Sequence, residues 1–552
     1  MSHPMFEKHQ ASLQQAVDAV ATRGYWSLYS ENPRSYGESA IDDGRAAFEA
    51  YRGAQFYLDQ PGVFGRGGAE VSPYGLPLSI GYPLCTPDAL IGAAKVAAPA
   101  WIKAGPDTRA GVCVEILARL NAGSFEMAHA VMHTTGQPLL MAFQSAGPHA
   151  QDRGLEAVAT AWREMKHIPE AATWEKPQGK NPPLCVEKRF TVVPRGIGLV
   201  ICCATFPTWN AYPGLFASLV TGNPVIIKPH PAVILPLALT VAVARQVLKE
   251  AGFDPNLISL LADDATAPVA KDVAMKPEIR IIDYTGGPDF GNWLEEHARQ
   301  AVVFTEKAGT NCVIVDSVSD YKAMLRNLAL SLSLYSGQMC TSPQTIFVSS
   351  DGVRTPEGVV PAEQFGRDLA MVVSKLLEDP ARAVEVLGAI QSAATLARIE
   401  AAESFGDVLR HSGVVNHPQW PDARIRSPLI LRVSADNDHA YAEECFGPIS
   451  LVVSTATTAE SLATAERMIR ERGAITFAIY SSNPVMVQLA EDAALRAGVA
   501  LSINLTGNLF VNHAAGFSDF HATGANPAAN ACLTDSAFVA SRFFVIQSRR
   551  QL

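Results

Sequence analysis

No stretch of this chain is apolar for long enough to span a bilayer. The first fifteen residues carry Glu7, Lys8 and several histidines and glutamines, and lack the apolar core of a secretory signal. Cys-x-x-Cys spacing is missing. The nine cysteines are odd in number and scattered, which excludes a disulfide framework and fits reduced thiols in the cytoplasm. Positive charge is in short supply: 44 Lys and Arg face 54 Asp and Glu. The net charge of -10 argues against nucleic acid as a main partner. There is no internal repeat and no low-complexity tract. What remains is an ordinary globular composition, 48% hydrophobic and 18% charged, over 552 residues. That length exceeds one core, so two or three lobes are expected.

Residues 1 to about 165 read as helices and loops, with apolar positions at helical spacing over 88–103 and 108–122. The polar, Pro- and Gly-bearing stretch 174–183 reads as a boundary. Beyond it, strands and helices alternate. Apolar runs at 198–203, 223–228, 257–261 and 279–284 read as buried strands, with helices over 212–220 and 236–251. A second series follows, with strands near 311–315, 344–349, 449–453 and 474–480 and a helix over 362–377. The pattern predicts an α/β protein of two doubly wound lobes that meet near residue 310. Residues 537–547 read as a strand with no obvious partner.

Cys340 follows Ser336-Gly337-Gln338-Met339, and Glu306 stands 34 residues upstream. A cysteine after a Gly-Gln turn is a candidate nucleophile, because glycine allows close backbone approach and the thiolate is the reactive form. A glutamate from another segment suits a general base that activates water to hydrolyse a thioester. Lys228-Pro229 ends a buried strand and points into a ligand crevice. Thr285-Gly286-Gly287 follows a strand and opens a helix, and its glycines allow backbone N–H groups and a helix N-terminus to face a pyrophosphate, where the plain alternative is an ordinary turn. Glu444 and Phe446, in Glu-Cys-Phe-Gly-Pro, pair a carboxylate with an aromatic ring at a tight turn. Glu126, His129 and His133 share a helix face, but nothing else in the chain completes a metal site. No metal is expected.

Taken in order, these motifs and Ile503-Asn504 resemble the NAD(P)-dependent aldehyde dehydrogenase superfamily over roughly residues 85 to 525. Thr135-Gly136-Gln137-Pro138 and Pro194-Arg-Gly-Ile-Gly198 belong to the same resemblance. The long N-terminus and Thr205-Phe-Pro-Thr-Trp209 resemble the phenylacetate-degradation PaaN-type branch, similar to the dehydrogenase half of PaaZ ring-opening enzymes. The resemblance implies the aldehyde dehydrogenase fold. Residues 1–170 and 192–309 would bind the dinucleotide, and 310–525 would carry the nucleophile. Residues 171–191 and 526–552 would form an oligomerisation arm, giving a homo-oligomer, dimer or tetramer.

It also implies roles. Cys340 would attack the aldehyde, hydride would pass to the nicotinamide, and Glu306 would activate the water that releases the acid. Lys228 would contact the adenosine ribose and Glu444 the nicotinamide ribose. Phe446 would back the nicotinamide, and Thr285, Gly286 and Gly287 would lie along the pyrophosphate. Phe206, Trp209, Asn210, Met339 and Thr341 would line the substrate tunnel. Three positions depart from the family pattern. Thr205 replaces the usual oxyanion asparagine. No glutamate follows Lys228 at three residues, and His230 stands nearby, which points to NADP with NAD as the alternative. Phe517-Ser518-Asp519 replaces Phe-Gly-Gly.

The expectation is oxidation of a CoA-linked semialdehyde from ring opening in phenylacetate catabolism. About 27 residues follow the last motif, which leaves no room for an attached hydratase. The rivals are CoA-acylating dehydrogenation and a non-catalytic homologue acting as a binding protein.

Overall fold

The computed structural model describes residues 3–307, 309–513 and 516–552. Two sheets organise the chain. The first has five parallel strands in the order Ile258–Leu260, Val225–Lys228, Ile197–Ile201, Ile279–Thr285, Val302–Glu306. The order reverses at the central strand Ile197–Ile201, which is the crossover pattern of a doubly wound sheet. Its strands are short apolar runs, and Val225–Lys228 is buried at every position. That is what burial on both faces of a parallel sheet requires.

The second sheet has seven strands in the order Asp407–Arg410, Leu429–Ser434, Ile449–Thr455, Thr345–Ser349, Cys312–Val315, Thr476–Tyr480, Ala500–Ile503. All its pairs are parallel except the edge strand Asp407–Arg410. Helices cover both sheets. Ala362–Leu376 shows how, with Phe365, Leu369 and Val373 buried at helical spacing. Helix Thr458–Arg472 begins on Thr457, whose hydroxyl accepts the Glu460 N–H at 3.1 Å. Among the described residues, no helix is long and apolar enough to cross a membrane.

Three readings of the sequence need correction. The stretch 174–183, read as a boundary, is folded: it lies in a hairpin of Ala171–Gln178 and Asn181–Pro194, inside the segment 171–191 that the resemblance assigned to an arm. The tail is not a strand from residue 537, because Ser536–Ala540 is helical and the strand is Phe543–Gln551. Nor is that strand partnerless. It pairs antiparallel with residues 186–194 of the same chain, giving a three-stranded sheet. Between helix and strand, Arg542 is wholly buried and grips Asp283 on the first sheet through two nitrogens, at 2.5 and 2.8 Å.

Candidate active site

A cleft of about 990 Å³ opens at the C-terminal ends of the five-stranded sheet. This is where ligands bind in doubly wound proteins. Strand ends deliver Lys228, Thr285 and Glu306 to it, and loops of the second sheet deliver Cys340, Glu444 and Phe446.

The loop before Cys340 is held in an unusual backbone. Tyr335, Ser336 and Gly337 have φ of 51°, 50° and 64°. At Gly337 a Cβ would stand 2.3 Å from the Gly447 carbonyl oxygen, so glycine is obligatory there. Gln338 clamps the loop: its amide donates to the Ala389 carbonyl at 3.0 Å and accepts the Gln391 N–H at 2.9 Å. Asn311 donates to the carbonyls of Cys340 at 2.7 Å and Ser342 at 3.0 Å. The Gly-Gln pair thus presents the thiol without itself doing chemistry.

Glu306 ends its strand with the side chain buried. Asn210 Nδ2 donates to Oε1 at 3.2 Å, and His521 Nε2 lies 3.1 Å from Oε2. The same Nε2 is 3.9 Å from Cys340 Sγ. Burial pushes the Cys340 thiol up, and the Glu306 charge pushes it further. Burial alone would also raise Glu306. The His521 charge and hydrogen bond, the contact with Cys340 and the Arg153 charge outweigh it and hold the carboxyl below its usual range. The site therefore pairs a protonated thiol with an ionised carboxylate, a nucleophile beside its base.

The dinucleotide candidates Lys228, His230, Thr285, Gly286, Gly287, Glu444 and Phe446 all line the same cleft. Lys228 Nζ is 2.6 Å from Asp263 Oδ1. Burial, then the Lys228 charge, lower the pKa of His230. Gly286 could carry no side chain, since its Cβ would lie 2.4 Å from the Tyr284 hydroxyl. Gly287 caps the helix Pro288–His297 with open space where its Cβ would be. The helix N-terminus and its unpaired N–H groups face the cleft, as a bound phosphate requires. Glu444 is pushed up to about 7 by burial, against the Gly309 N–H and the Arg398 charge. A cradle bare of side chains at one point and carboxylates at both ends fit a dinucleotide.

Thr205 and Phe206 also line the cleft. The Thr205 carbonyl accepts from Gln137 Nε2 at 2.8 Å, and Phe206 meets Tyr335 edge-on. Three of the tunnel candidates lie behind this wall. Trp209 meets the His521 ring edge-on at 4.6 Å, the Met339 sulfur lies 3.8 Å from the Asn512 amide, and Thr341 donates to the Asn512 carbonyl at 2.9 Å. Asn504 is tied to Ser481 by its amide at 2.9 Å. His129 and His133 stack on Phe48, and Glu126 accepts from the Tyr51 hydroxyl, so that trio is packing.

Residues 86–499 match the aldehyde dehydrogenase family model. The chain belongs to the aldehyde dehydrogenase family. A crystal structure of an NAD-dependent aldehyde dehydrogenase from Burkholderia multivorans is 55% identical over 100% of both chains, with a TM-score of 0.99. A 1-pyrroline-5-carboxylate dehydrogenase from Thermus thermophilus, in an R100A mutant structure, shares the fold at a TM-score of 0.74. It is 17% identical, covering 96% of this chain and 99% of that one. A curated relative, the 1-pyrroline-5-carboxylate dehydrogenase of Geobacillus kaustophilus, is 22% identical over 63% of this chain and 65% of its own length. The N-succinylglutamate 5-semialdehyde dehydrogenase of Burkholderia lata is 27% identical over 57% and 61%. The chain spans about 65% or less of these two curated relatives. The α/β aldehyde dehydrogenase fold expected from the motifs is the fold of this family member.

Two groups at the site escaped the sequence reading. His521 sits two residues past the departing Phe517-Ser518-Asp519, and a lone histidine in a loop carries no pattern. Asp263 stands three residues beyond the strand Ile258–Leu260. The rule that strand ends face the ligand, applied there as at Lys228, would have found it.

Proposed function

We propose that the chain is an NAD-dependent dehydrogenase that oxidises a semialdehyde to the carboxylic acid through covalent attachment to Cys340. One observation carries this reading: a buried thiol and an ionised carboxylate meet at one end of a cleft shaped for a dinucleotide. Cys340 attacks the aldehyde carbon, and its proton leaves to Glu306. The Cys340 backbone N–H and the Thr205 hydroxyl are the donors assigned to the oxyanion, with Asn210 committed to Glu306. The nicotinamide, when bound, supplies the hydride acceptor that turns the adduct into a thioester. Glu306 gives the thiol proton up to solvent, and the regenerated carboxylate takes a proton from water; the hydroxide displaces the thioester sulfur, which recovers that proton from Glu306 as the acid is released. Phe206, with Trp209, Met339 and Thr341 behind it, shapes the aldehyde's approach.

Lys228 and His230 are assigned to the adenosine ribose, Thr285, Gly286 and Gly287 to the pyrophosphate, and Glu444 and Phe446 to the nicotinamide end. The Lys228-Pro229-His230-Pro231 motif alone favoured NADP. Asp263 turns the reading toward NAD, because it puts a carboxylate beside Lys228 where the motif lacks one. The Burkholderia multivorans neighbour, named as NAD-dependent, agrees. The support for a semialdehyde is the curated relative named N-succinylglutamate 5-semialdehyde dehydrogenase. The specific candidate is the CoA-linked semialdehyde of phenylacetate ring opening, which rests on the PaaN-type resemblance of the N-terminal region and Thr205–Trp209. A water-activating Glu306 favours the free acid over an acyl-CoA product.

The test is NAD and NADP reduction with a panel of semialdehydes, free and CoA-linked, with the product identified. Cys340→Ala should abolish turnover while dinucleotide binding stays within a few-fold. Glu306→Gln should show a burst of NADH followed by slow release, with the acyl-enzyme visible by mass spectrometry. Turnover by folded Cys340→Ala protein would remove the mechanism, and an acyl-CoA product would replace water with CoA in the second step.

A further inference from the structure

His521 has no part in the reaction as written above, yet it is placed on both of its central groups. Its side chain is 2% exposed. Nε2 lies 3.1 Å from Glu306 Oε2 and 3.9 Å from Cys340 Sγ. Trp209, edge-on at 4.6 Å, fixes the ring. Asn210 holds the other carboxylate oxygen at 3.2 Å. Glu306 is thus hydrogen-bonded at Oε1, while Oε2 lies at ion-pair distance from His521 with no aligned hydrogen bond in this state and the sulfur alongside. Nε2 stands close to both groups, and as an N–H it is a donor that either of them can accept.

We propose that His521 is a positioning residue for the nucleophile and base. Its Nε2–H holds Glu306 aimed at Cys340 and turns to the sulfur as the thiol ionises. The inference rests on the roles given to Cys340 and Glu306. In the step concerned, the S–H bond breaks and an O–H bond forms on Glu306. The sulfur keeps the electron pair that attacks the carbonyl, and nothing is oxidised. As the carboxylate becomes neutral its hold on Nε2–H weakens, while the new thiolate is a stronger acceptor. The donor is thus passed from base to nucleophile as the charge moves. Without it, a thiol already raised by burial would ionise beside a carboxylate held at one oxygen only, by Asn210. The other groups that bear on the pair are Cys203 and Glu444, which oppose a thiolate, and Arg153, which favours the Glu306 carboxylate.

The experiment is alkylation of Cys340 by iodoacetamide across pH, without aldehyde or dinucleotide, with the adduct located by mass spectrometry. His521→Phe keeps a ring against Trp209 and removes the donor. It should react about 10–100-fold more slowly near neutral pH, the effect of losing a hydrogen bond to a charged group, with its midpoint moved to higher pH. His521→Gln restores an N–H at the same reach and should stay within about threefold of the native rate. If His521→Phe does not fold, His521→Ala serves in the same comparison. Native-like alkylation by the donor-less variant overturns the inference, and so does a His521→Gln protein as slow as His521→Phe. Because the readout needs no turnover, a failed dehydrogenase assignment and a failed role for His521 give different results.

Discussion

At the scale of single residues, hydrogen bonds fix the loops and side chains that present the site, while Glu306 Oε2 and Asp263 Oδ1 are buried without a hydrogen-bond partner among the described residues. Thr205 is held from behind, since Gln137 grips its carbonyl at 2.8 Å and Ser145 in turn grips Gln137 at 2.6 Å. In the proposed reaction its hydroxyl is the side-chain donor assigned to the oxyanion, since Asn210 donates to Glu306. Thr205→Val keeps the shape and removes that donor. It should lower kcat by about 10–10³ with KM nearly unchanged, as removal of an oxyanion donor does. A Thr205→Val enzyme at the native rate would take this side chain out of the reaction. Asp152 offers a test of stability. Burial raises it to about 7, against the Ser27 hydroxyl and the Leu28 N–H that it accepts. Unfolded, it ionises near its ordinary 3.8. Its contribution is therefore complete below that value and is lost as pH rises through about 7, since charging it in place opposes burial. Asp152→Asn is neutral throughout and can still accept from Leu28. It should flatten the fall in urea midpoint between pH 5 and pH 8. An unchanged slope would show that other groups set it.

At the scale of elements, the sequence spoke most clearly where local pattern and fold agree. Buried strands such as Val225–Lys228 announce themselves as apolar runs between turns. Helix starts were read late where proline stands in the first turn: Pro207–Val220 was expected from 212, although proline is at home there. The tail shows a different limit: strand character is local, whereas the pairing with the hairpin comes only from the family resemblance. Phe543–Gln551 has strand composition, but its partner lies more than 340 residues earlier, and no local signal carries that register. Likewise Cys340 and Glu306 were legible through their spacing and neighbours, whereas His521 reaches them across a gap of 181 residues to the cysteine. The arm leaves Trp174, Leu184, Phe544, Val545 and Ile546 exposed. Such a ribbon of apolar side chains on an open edge is a hazard for a protein standing alone. The expected state is a dimer or larger. Deleting residues 543–552 keeps Arg542 on Asp283 but removes the outer strand, and should yield monomer or aggregate by light scattering. A monodisperse full-length monomer at micromolar concentration would refute this role of the arm.

At the scale of the whole molecule, the cleft is built from two sheets that each contribute one end of the chemistry. Carboxylates mark both ends, Asp263 beside Lys228 and Glu444 beside the Cys340 loop. If the adenosine ribose lies at Lys228 as proposed, cofactor choice is set on the first sheet, by Asp263 and His230. A 2′-phosphate near Lys228 would have to share the space with the Asp263 carboxylate, and like charges brought together in this way cost several kcal/mol. Asp263→Asn removes the repulsion, keeps the side-chain volume and frees the Lys228 ammonium for the phosphate. The ratio of kcat/KM for NADP to that for NAD should rise by about 10–100-fold, mostly through KM for NADP. Alkylation of Cys340 should not change, because Asp263 lies at the opposite end of the cleft from the thiol. A native enzyme that already prefers NADP, or a ratio that does not move in Asp263→Asn, would place the adenosine ribose elsewhere and return the choice to His230.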